Sequence, residues 1–237
     1  GVTDADIVLF CVKSTDTESA GRLIAPYLKP DATVLCLQNG VDNAERLQPL
    51  IKPIANPAAV YVAVDMAGPG HVRHHGRGDL IIGGSPTSAA IATHFNDAAI
   101  PTPVSDRVID TLWTKLTTNC AYNALSAVAE LPYGPMLKVA GIPEIIGTVV
   151  EECVAVARAL GVFLPRDIAK TVLALAETMP QQYSSTAQDL ARGKPSEIDH
   201  LNGYVVRKGA ELGIPTPVNR TLQAMVKLRE ARRQYAG

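Results

Sequence analysis

One predicted helix carries polar side chains at a spacing suited to binding a small molecule. Lys115, Asn119 and Asn123 recur at every fourth position of segment 108–128, so a helix places all three on one face. Three hydroxyl residues flank this stripe: Thr118, Tyr122 and Ser126. Carboxamides and hydroxyls orient a polar ligand, and a partly desolvated lysine can hold a carbonyl oxygen and deliver a proton, because burial lowers its pKa. A lined pocket and a mildly polar exposed face explain the spacing equally well.

A second polar segment, 183–189, is rich in hydroxyl groups. It suits either a loop with a helix N-cap, which is the commoner use, or a binding turn. Glu197 follows Ser196 at a predicted helix start, where an acidic residue complements the helix dipole more often than it takes part in catalysis. Asp199 and Asn202 are interpreted in the same way, as surface or capping groups.

Two polar residues follow buried strands in the first hundred residues. Lys13 comes directly after the apolar run 7–12, and Asn39 follows the run 33–37 within the sequence Gln-Asn-Gly. The carboxyl ends of strands in a doubly wound sheet form its ligand-binding edge, so both residues could face a cofactor. Their ordinary explanations are an exposed lysine at a strand end and an Asn-Gly turn.

Several other kinds of site lack their motifs. The five histidines have no paired ligand spacing and the four cysteines form no CxxC pair, so we predict no metal site. GxGxxG, Walker A and GxSxG motifs are absent from the 237 residues. A net charge of −1 and an aromatic content of 5% offer no surface for nucleic acid.

Composition and patterning predict a cytoplasmic protein that does not contact a membrane. No apolar run reaches the roughly 18 residues of a transmembrane helix, and no signal peptide is recognisable. The scattered cysteines are expected to be buried thiols in a reducing compartment: Cys11, Cys36, Cys120 and Cys153.

The order of predicted elements divides the chain between residues 103 and 104. Residues 1–103 alternate strand and helix, which is typical of a doubly wound parallel sheet. Strands are predicted at 7–12, 33–37 and 58–64, and helices at 15–28 and 42–51. The segment 71–82 alternates in polarity and contains Gly76-Arg77-Gly78, which predicts a hairpin turn or a bent strand pair.

Residues 104–237 have the character of long helices. The predicted helices cover 108–128, 143–160, 165–178, 196–213 and the chain from 217 onward. Their boundaries rest on proline at the first turn, glycine after the last turn, and Ser196 as an N-cap with Asp199 as an imperfect capping box.

Taken in order, these segments resemble the ketopantoate reductase (2-dehydropantoate 2-reductase) family. The resemblance covers nearly the whole chain, and its order and spacing are more specific than any one motif. The matching blocks are DADIV at 4–8, CVK at 11–13, LQNGV at 37–41, HGRG at 75–78, IGG at 82–84, WTKL at 113–116, SSTAQD at 184–189 and EIDHLNG at 197–203.

The resemblance implies a Rossmann-type parallel sheet followed by an all-α helical domain, with the active site in the cleft between them. It also implies NADPH-dependent reduction of 2-dehydropantoate, a small 2-keto acid, to pantoate in pantothenate biosynthesis. The resemblance and the apolar character of the helical part together suggest a homodimer.

By motif match, Lys115 is the general acid that protonates the carbonyl oxygen as hydride arrives. The match assigns Asn119, Asn123 and Ser185 to substrate binding. It places Asn39 near the nicotinamide ribose and Glu197 at the nicotinamide end, where Glu197 is both catalytic and cofactor-binding. Lys13 joins the cofactor-binding set through its strand-end position.

Two features depart from the family pattern. The family often has a further Asn about ten residues beyond the second helix Asn, where this sequence has Tyr133, so a related 2-keto acid is an alternative substrate. The glycine-rich turn that receives the pyrophosphate is absent, together with the residues that distinguish NADP from NAD. We therefore expect a Rossmann domain truncated at its N-terminus by about 70 residues. A catalytically silent fragment or a dimerisation module is the remaining alternative.

Overall fold

A computed structural model describes residues 1–235. The chain forms two compact units, with the division between Leu112 and Trp113. This division lies inside one continuous helix, Val108–Ala129, and the boundary expected between residues 103 and 104 stays a prediction.

The first unit is built on a sheet of five strands that follow one another in chain order. These are β1 (Ile7–Phe10), β2 (Thr33–Cys36), β3 (Ile54–Gly68), β4 (His71–Gly83) and β5 (Val104–Ser105). The strands β1, β2 and β3 are parallel, β4 is antiparallel to β3, and β5 is parallel to β4. With the helical second unit, this arrangement confirms the predicted fold class.

Helices cover both faces of this sheet. They are α1 (Thr17–Ile24), α2 (Asn43–Leu47) and α3 (Ser88–Asp97). Val34 and Cys36 of β2 pack in the cluster that contains Leu47 of α2, whereas Leu35 packs in the cluster that contains Ile91 of α3. Because side chains alternate between two buried faces, β2 is apolar throughout, as the sequence indicated.

The first two helices are shorter than predicted, and α3 was not predicted. Each of α1 and α2 gives way to a 3-10 turn, Ala25–Tyr27 and Gln48–Leu50, which contain Pro26 and Pro49. Proline has no N–H to continue the α-helical ladder, so the chain tightens at these positions.

Of the two predictions for Gly76-Arg77-Gly78, the hairpin turn is wrong, and the segment lies in an irregular part of a strand pair. The chain reverses at Pro69-Gly70, where Gly70 has a φ of +68°, and the Gly-Arg-Gly segment lies inside β4. Arg77 has a φ of +59° in a region where the register between β3 and β4 shifts. Its guanidinium lies 4.1 Å from the ring centroid of Tyr61, which is on β3. Arg77 therefore contacts the neighbouring strand, and its segment is an irregularity within the strand pair and does not end the pair.

The second unit is helical. It contains most of α4 (Val108–Ala129), then α5 (Tyr133–Leu137), α6 (Ile142–Ala159), α7 (Ile168–Thr178), α8 (Ser185–Ala191), α9 (Asn202–Leu212) and α10 (Pro217–Tyr235). The helix α6 is central and contacts α7, α9 and α10. All the predicted long helices are present, but the short α5 and α8 were missed.

The predicted start of the fourth long helix is wrong. A 3-10 turn, Ile198–His200, comes first, and α9 begins only at Asn202. The hydroxyl oxygen of Ser196 accepts from the Ile198 N–H at 3.3 Å. The carboxylate of Asp199 instead contacts Gln223 and Lys227 on α10, so the predicted capping box does not form.

Within residues 1–235, no helix is both long and apolar enough to cross a bilayer. The same residues contain no group of three or more His, Cys, Asp or Glu side chains that could hold a metal ion. The four cysteines are free thiols, and Cys36, Cys120 and Cys153 are buried. Cys11 is exposed just after β1, contrary to the expectation.

Candidate active site

The first unit brings Lys13 and Asn39 to the same edge of the sheet. The strands β1 and β2 are parallel and end in register, with Phe10 opposite Cys36, so the loops that follow them are neighbours. The Ser14 hydroxyl donates a hydrogen bond of 2.8 Å to the Asn39 carbonyl. Lys13 and Asn39 are both half-buried. The loops predicted to face a cofactor are therefore joined directly.

A buried polar network fixes the loop that carries Asn39. The Asn43 side chain donates to the Asn39 carbonyl at 2.7 Å. Thr17 donates to the Asn43 side-chain oxygen at 3.0 Å and accepts from the Gln38 amide at 2.8 Å. Sequence reasoning missed Thr17 and Asn43, because their positions in the first turns of α1 and α2 are typical of ordinary helix starts.

Arg46 ties the same loops together with a charge. It donates to the Ser14 carbonyl at 2.8 Å and to both carboxylate oxygens of Glu18. Burial acts to lower the pKa of Arg46, but its hydrogen bonds to the Glu18 carboxylate and the nearby Asp42 carboxylate outweigh burial and raise the pKa. The guanidinium therefore stays charged and holds the two loops in place.

The second unit contains the polar stripe of α4. Lys115 and Asn119 are half-buried, and Asn123 is only 2% exposed. One helical turn, about 6 Å per four residues, separates each from the next. The flanking Tyr122 and Ser126 are fully buried. This burial disagrees with an exposed polar face, and the lined pocket stays a prediction.

The hydroxyl-rich segment meets this stripe at Asn123. The Asn123 side chain donates to the Ser185 hydroxyl at 3.2 Å, although 62 residues separate them in the chain. Ser184 is the N-cap of α8, and its hydroxyl accepts from the Ala187 N–H at 3.0 Å. The N-cap interpretation is therefore confirmed for Ser184, whereas the exposed Ser185 contacts Asn123 and its role in binding stays a prediction.

Two tyrosines form the aromatic wall behind this part of α4. The rings of Tyr122 and Tyr133 have centroids 4.5 Å apart, and the Tyr122 hydroxyl donates to the Val172 carbonyl at 2.8 Å. Burial raises the pKa of Tyr122 to about 12 and raises that of Tyr133 as well. Both phenols are therefore neutral near pH 7.

Glu197 is 6% exposed and lies directly before the 3-10 turn Ile198–His200. Asp199, two residues on, anchors this segment to α10 through Lys227 at 2.5 Å and the Gln223 amide at 2.7 Å. Burial acts to raise the pKa of Asp199, but hydrogen bonds from Lys227 and Gln223 outweigh it, so the pKa is lowered. Asp199 thus stays charged and positions the segment that contains Glu197.

Asn202 is fully buried, so its interpretation as a surface group is wrong. Its amide donates to the Cys120 carbonyl of α4 at 3.0 Å and to the Asn219 side-chain oxygen at 2.9 Å. The Asn219 amide in turn donates to the Glu152 carboxylate at 2.7 Å. Sequence reasoning missed Asn219 and Glu152, which lie on elements far apart in the chain.

The residues of the first unit fit one end of a nicotinamide cofactor. The edge formed by the loops after β1 and β2 is polar, half-buried and held by hydrogen bonds, as the ligand-binding edge of a parallel sheet should be. The sequence contains no glycine-rich phosphate turn. The fit therefore concerns the nicotinamide and its ribose, near Asn39, and does not extend to the pyrophosphate.

Together, the sheet of the first unit and the helical second unit define a Rossmann-type protein with an all-α C-terminal part. Two family models match the chain, "Ketopantoate reductase PanE/ApbA" over residues 2–86 and "Ketopantoate reductase PanE/ApbA C terminal" over residues 107–230. The chain belongs to this family of oxidoreductases.

Similar proteins are found among both curated sequences and solved structures. The 2-dehydropantoate 2-reductase of Archaeoglobus fulgidus is 32% identical over 230 residues, which cover 94% of this chain and 76% of that protein. The crystal structure of a PanE/ApbA family ketopantoate reductase from Ralstonia eutropha JMP134 is 56% identical, with a TM-score of 0.96 over 98% of this chain and 78% of that one. A 2-dehydropantoate 2-reductase from Methylococcus capsulatus is 26% identical, with a TM-score of 0.86 over 96% and 75% of the two chains.

Proposed function

We propose that this protein reduces 2-dehydropantoate to pantoate, a step of pantothenate biosynthesis, with NADPH as the reductant. Family membership and the name shared by its curated relatives support the reaction. The structural observation that carries the proposal is the hydrogen bond between Asn123 and Ser185. Asn123 lies on the same helix as Lys115 and Asn119.

The α4 stripe supplies the groups that this reaction requires. Asn119, Asn123 and Ser185 provide donors and acceptors for the carboxylate and hydroxyl of the keto acid. Lys115, two helical turns before Asn123, is the general acid that donates a proton to the carbonyl oxygen. Tyr122 and Tyr133 exclude water behind the stripe because they are buried.

The first unit provides the cofactor side of the reaction. When bound, NADPH supplies a hydride to the carbonyl carbon of the keto acid. Asn39 holds the nicotinamide ribose region, and Lys13 lies at the same sheet edge and belongs to the cofactor-binding set. Glu197 binds ribose or substrate hydroxyl groups as an acceptor.

Steady-state kinetics of the complete gene product with NADPH and 2-dehydropantoate tests the reaction. Lys115→Ala is expected to lower kcat by about 10²–10⁴-fold, because the developing alkoxide loses its proton donor. Lys170→Ala removes an exposed lysine from α7 and serves as the matched control. Wild-type turnover retained in Lys115→Ala contradicts the role of Lys115, and no NADPH oxidation by the wild type contradicts the reaction.

Tyr133 favours a second candidate, reduction of a related 2-keto acid. The residue is buried against Tyr122 and leaves no carboxamide at a place where the family often has one. A panel of 2-keto acids decides between the candidates through kcat/KM, with 2-dehydropantoate as the reference.

The cofactor preference, oligomeric state and compartment belong to the same proposal. We expect a higher kcat/KM with NADPH than with NADH, and a homodimer by native mass measurement. A cytoplasmic location agrees with the three buried free thiols, Cys36, Cys120 and Cys153.

A further inference from the structure

Ser184 is a fully buried residue whose hydroxyl and N–H make three hydrogen bonds. Its hydroxyl oxygen accepts from the Ala187 N–H at 3.0 Å and donates to the Asn123 carbonyl at 3.1 Å. Its own N–H donates to the Ser126 hydroxyl at 3.2 Å. Two of these three bonds lead to α4, so Ser184 joins the start of α8 to the helix that carries the polar stripe.

Ser184 and Ser185 hold Asn123 from two directions. Ser184 binds its main-chain carbonyl, and Ser185 accepts from its side-chain amide at 3.2 Å. Because these serines are adjacent in the chain, the position of Ser184 sets where the Ser185 hydroxyl lies relative to the Asn123 amide.

Ser126 extends this connection along α4. Its hydroxyl accepts from the Ser184 N–H and donates to the Leu131 carbonyl at 2.8 Å. Ser126 is also fully buried, so both serines are shielded from competing water. A helix N-cap needs only the bond from Ser184 to Ala187, and the bonds to Asn123 and Ser126 go beyond capping.

We propose that Ser184 is a positioning residue that holds the Asn123–Ser185 pair in the geometry that recognises the 2-keto acid. The inference rests on the proposed function, which gives Asn123 and Ser185 their substrate. Ser184 is buried and acts only through these two side chains. Its removal therefore weakens recognition of the keto acid and leaves the binding of the nicotinamide cofactor unchanged.

Kinetic constants for Ser184→Ala and Ser184→Gly test this role. Both substitutions remove the bond to Asn123, but glycine is nearly as good an N-cap as serine, so Ser184→Gly largely separates positioning from helix stability. We expect the KM for the keto acid to rise by about 10-fold in both variants, with an unchanged KM for NADPH. Ser184→Thr keeps the hydroxyl and should recover most of the loss.

A double-mutant cycle shows whether Ser184 acts through Ser185. If Ser184 acts through the Asn123–Ser185 pair, Ser184→Ala combined with Ser185→Ala raises the KM for the keto acid by less than the product of the two separate increases. Ser88→Ala is the matched control, because Ser88 is a buried serine of α3 whose hydroxyl donates to the Gly83 carbonyl at 2.6 Å. It should lower the melting temperature without changing either KM.

Two kinetic outcomes overturn the proposal. One is an unchanged KM for the keto acid in both Ser184→Ala and Ser184→Gly. The other is a double variant whose KM is the product of the two separate increases.

A crystal structure of Ser184→Ala tests the geometry without any assay. The Asn123 amide and the Ser185 hydroxyl should separate beyond hydrogen-bonding distance. A pair that keeps its 3.2 Å contact overturns the positioning role even if the enzyme reduces 2-dehydropantoate. If the wild type reduces no 2-keto acid while the pair separates in the variant, the proposed function fails and the positioning of Asn123 by Ser184 stands.

Discussion

Individual residues of one helical stripe differ in what surrounds them. Lys115 and Asn119 are half-buried, whereas Tyr122 and Ser126 lie in the interior and hydrogen-bond to the main chain of other segments. The spacing along α4 predicted their shared face, but only the contacts with α7 and Leu131 show which side chains support the structure.

Tyr122→Phe is expected to destabilise the protein by about 1 kcal/mol, because the buried bond to the Val172 carbonyl is lost. Burial raises the folded-state pKa of Tyr122 from 10.0 to about 12, so the folded state holds the phenol proton more tightly than the unfolded chain does. This contribution is complete below about pH 10 and is lost as the pH rises toward 12. Wild-type stability should therefore fall more steeply in that range than the stability of Tyr122→Phe.

Urea unfolding at a series of pH values between about 8 and 11 measures this difference. Tyr27→Phe is the control, because it removes an exposed tyrosine hydroxyl and not a buried one. Parallel pH profiles for the wild type and Tyr122→Phe would contradict the assignment.

At the scale of elements, polar contacts at the starts of α9 and α10 join helices of the second unit. Glu152 on α6 accepts from the Val218 and Asn219 N–H groups at 2.8 and 2.9 Å, in the first turn of α10. A carboxylate there satisfies backbone donors that the helix itself cannot and complements the helix dipole. The Asn219 side chain continues this link to Asn202 and on to α4.

Glu152→Ala should cost about 3 kcal/mol of unfolding free energy, because buried donors of α10 and Asn219 lose a charged acceptor. Glu152→Gln keeps one acceptor oxygen and should cost about half as much. Urea unfolding gives both values, and Glu151→Gln, at the exposed neighbouring position on α6, should change stability by less than about 0.5 kcal/mol. Equal urea midpoints for the Glu151 and Glu152 variants would show that the contact of Glu152 with the first turn of α10 contributes nothing to the free energy of unfolding.

The sequence predicted the elements that proline or glycine residues bound clearly, and it missed elements without such boundary residues. Pro217 begins α10 and Gly213 ends α9 in a left-handed conformation, as predicted. The reversal between β3 and β4 was misplaced because two glycine-containing segments compete for it, and only the strand register decides in favour of Pro69-Gly70. The short α5 has five residues, which are too few for a helical pattern to show.

At the scale of the molecule, the sequence predicted a sheet followed by long helices but not the contacts among the candidate site residues. The Asn123–Ser185 bond joins residues 62 positions apart, and the network from Glu152 to Asn202 spans three helices. Such contacts depend on how helices pack, which local spacing does not encode. The family resemblance supplied the predicted roles of Asn123 and Ser185, for which spacing left the alternatives open.

The proposed cofactor residues lie in the first unit and the proposed substrate residues on the α4 stripe. We therefore expect NADPH and 2-dehydropantoate to raise the melting temperature through different residues. A ligand that binds only the folded state stabilises it, by about 2.7 kcal/mol at a hundred times its Kd. NADPH should raise the melting temperature of the complete gene product more than NADH does. 2-Dehydropantoate added with NADP⁺, which cannot react with it, should raise the melting temperature further. Asn39→Ala should reduce the NADPH-induced rise, because Asn39 lies at the sheet edge of the first unit.

Asn123→Ala should have the complementary effect. It is expected to abolish most of the rise caused by the keto acid and to keep the rise caused by NADPH, because Asn123 lies on the α4 stripe of the second unit. Thermal unfolding of the two variants with each ligand measures all four shifts, and Asn96→Ala on α3 provides a carboxamide control that should respond like the wild type. Equal losses of both responses in both variants would contradict a division of the cofactor and substrate residues between the two units, since each response would then depend on the fold as a whole.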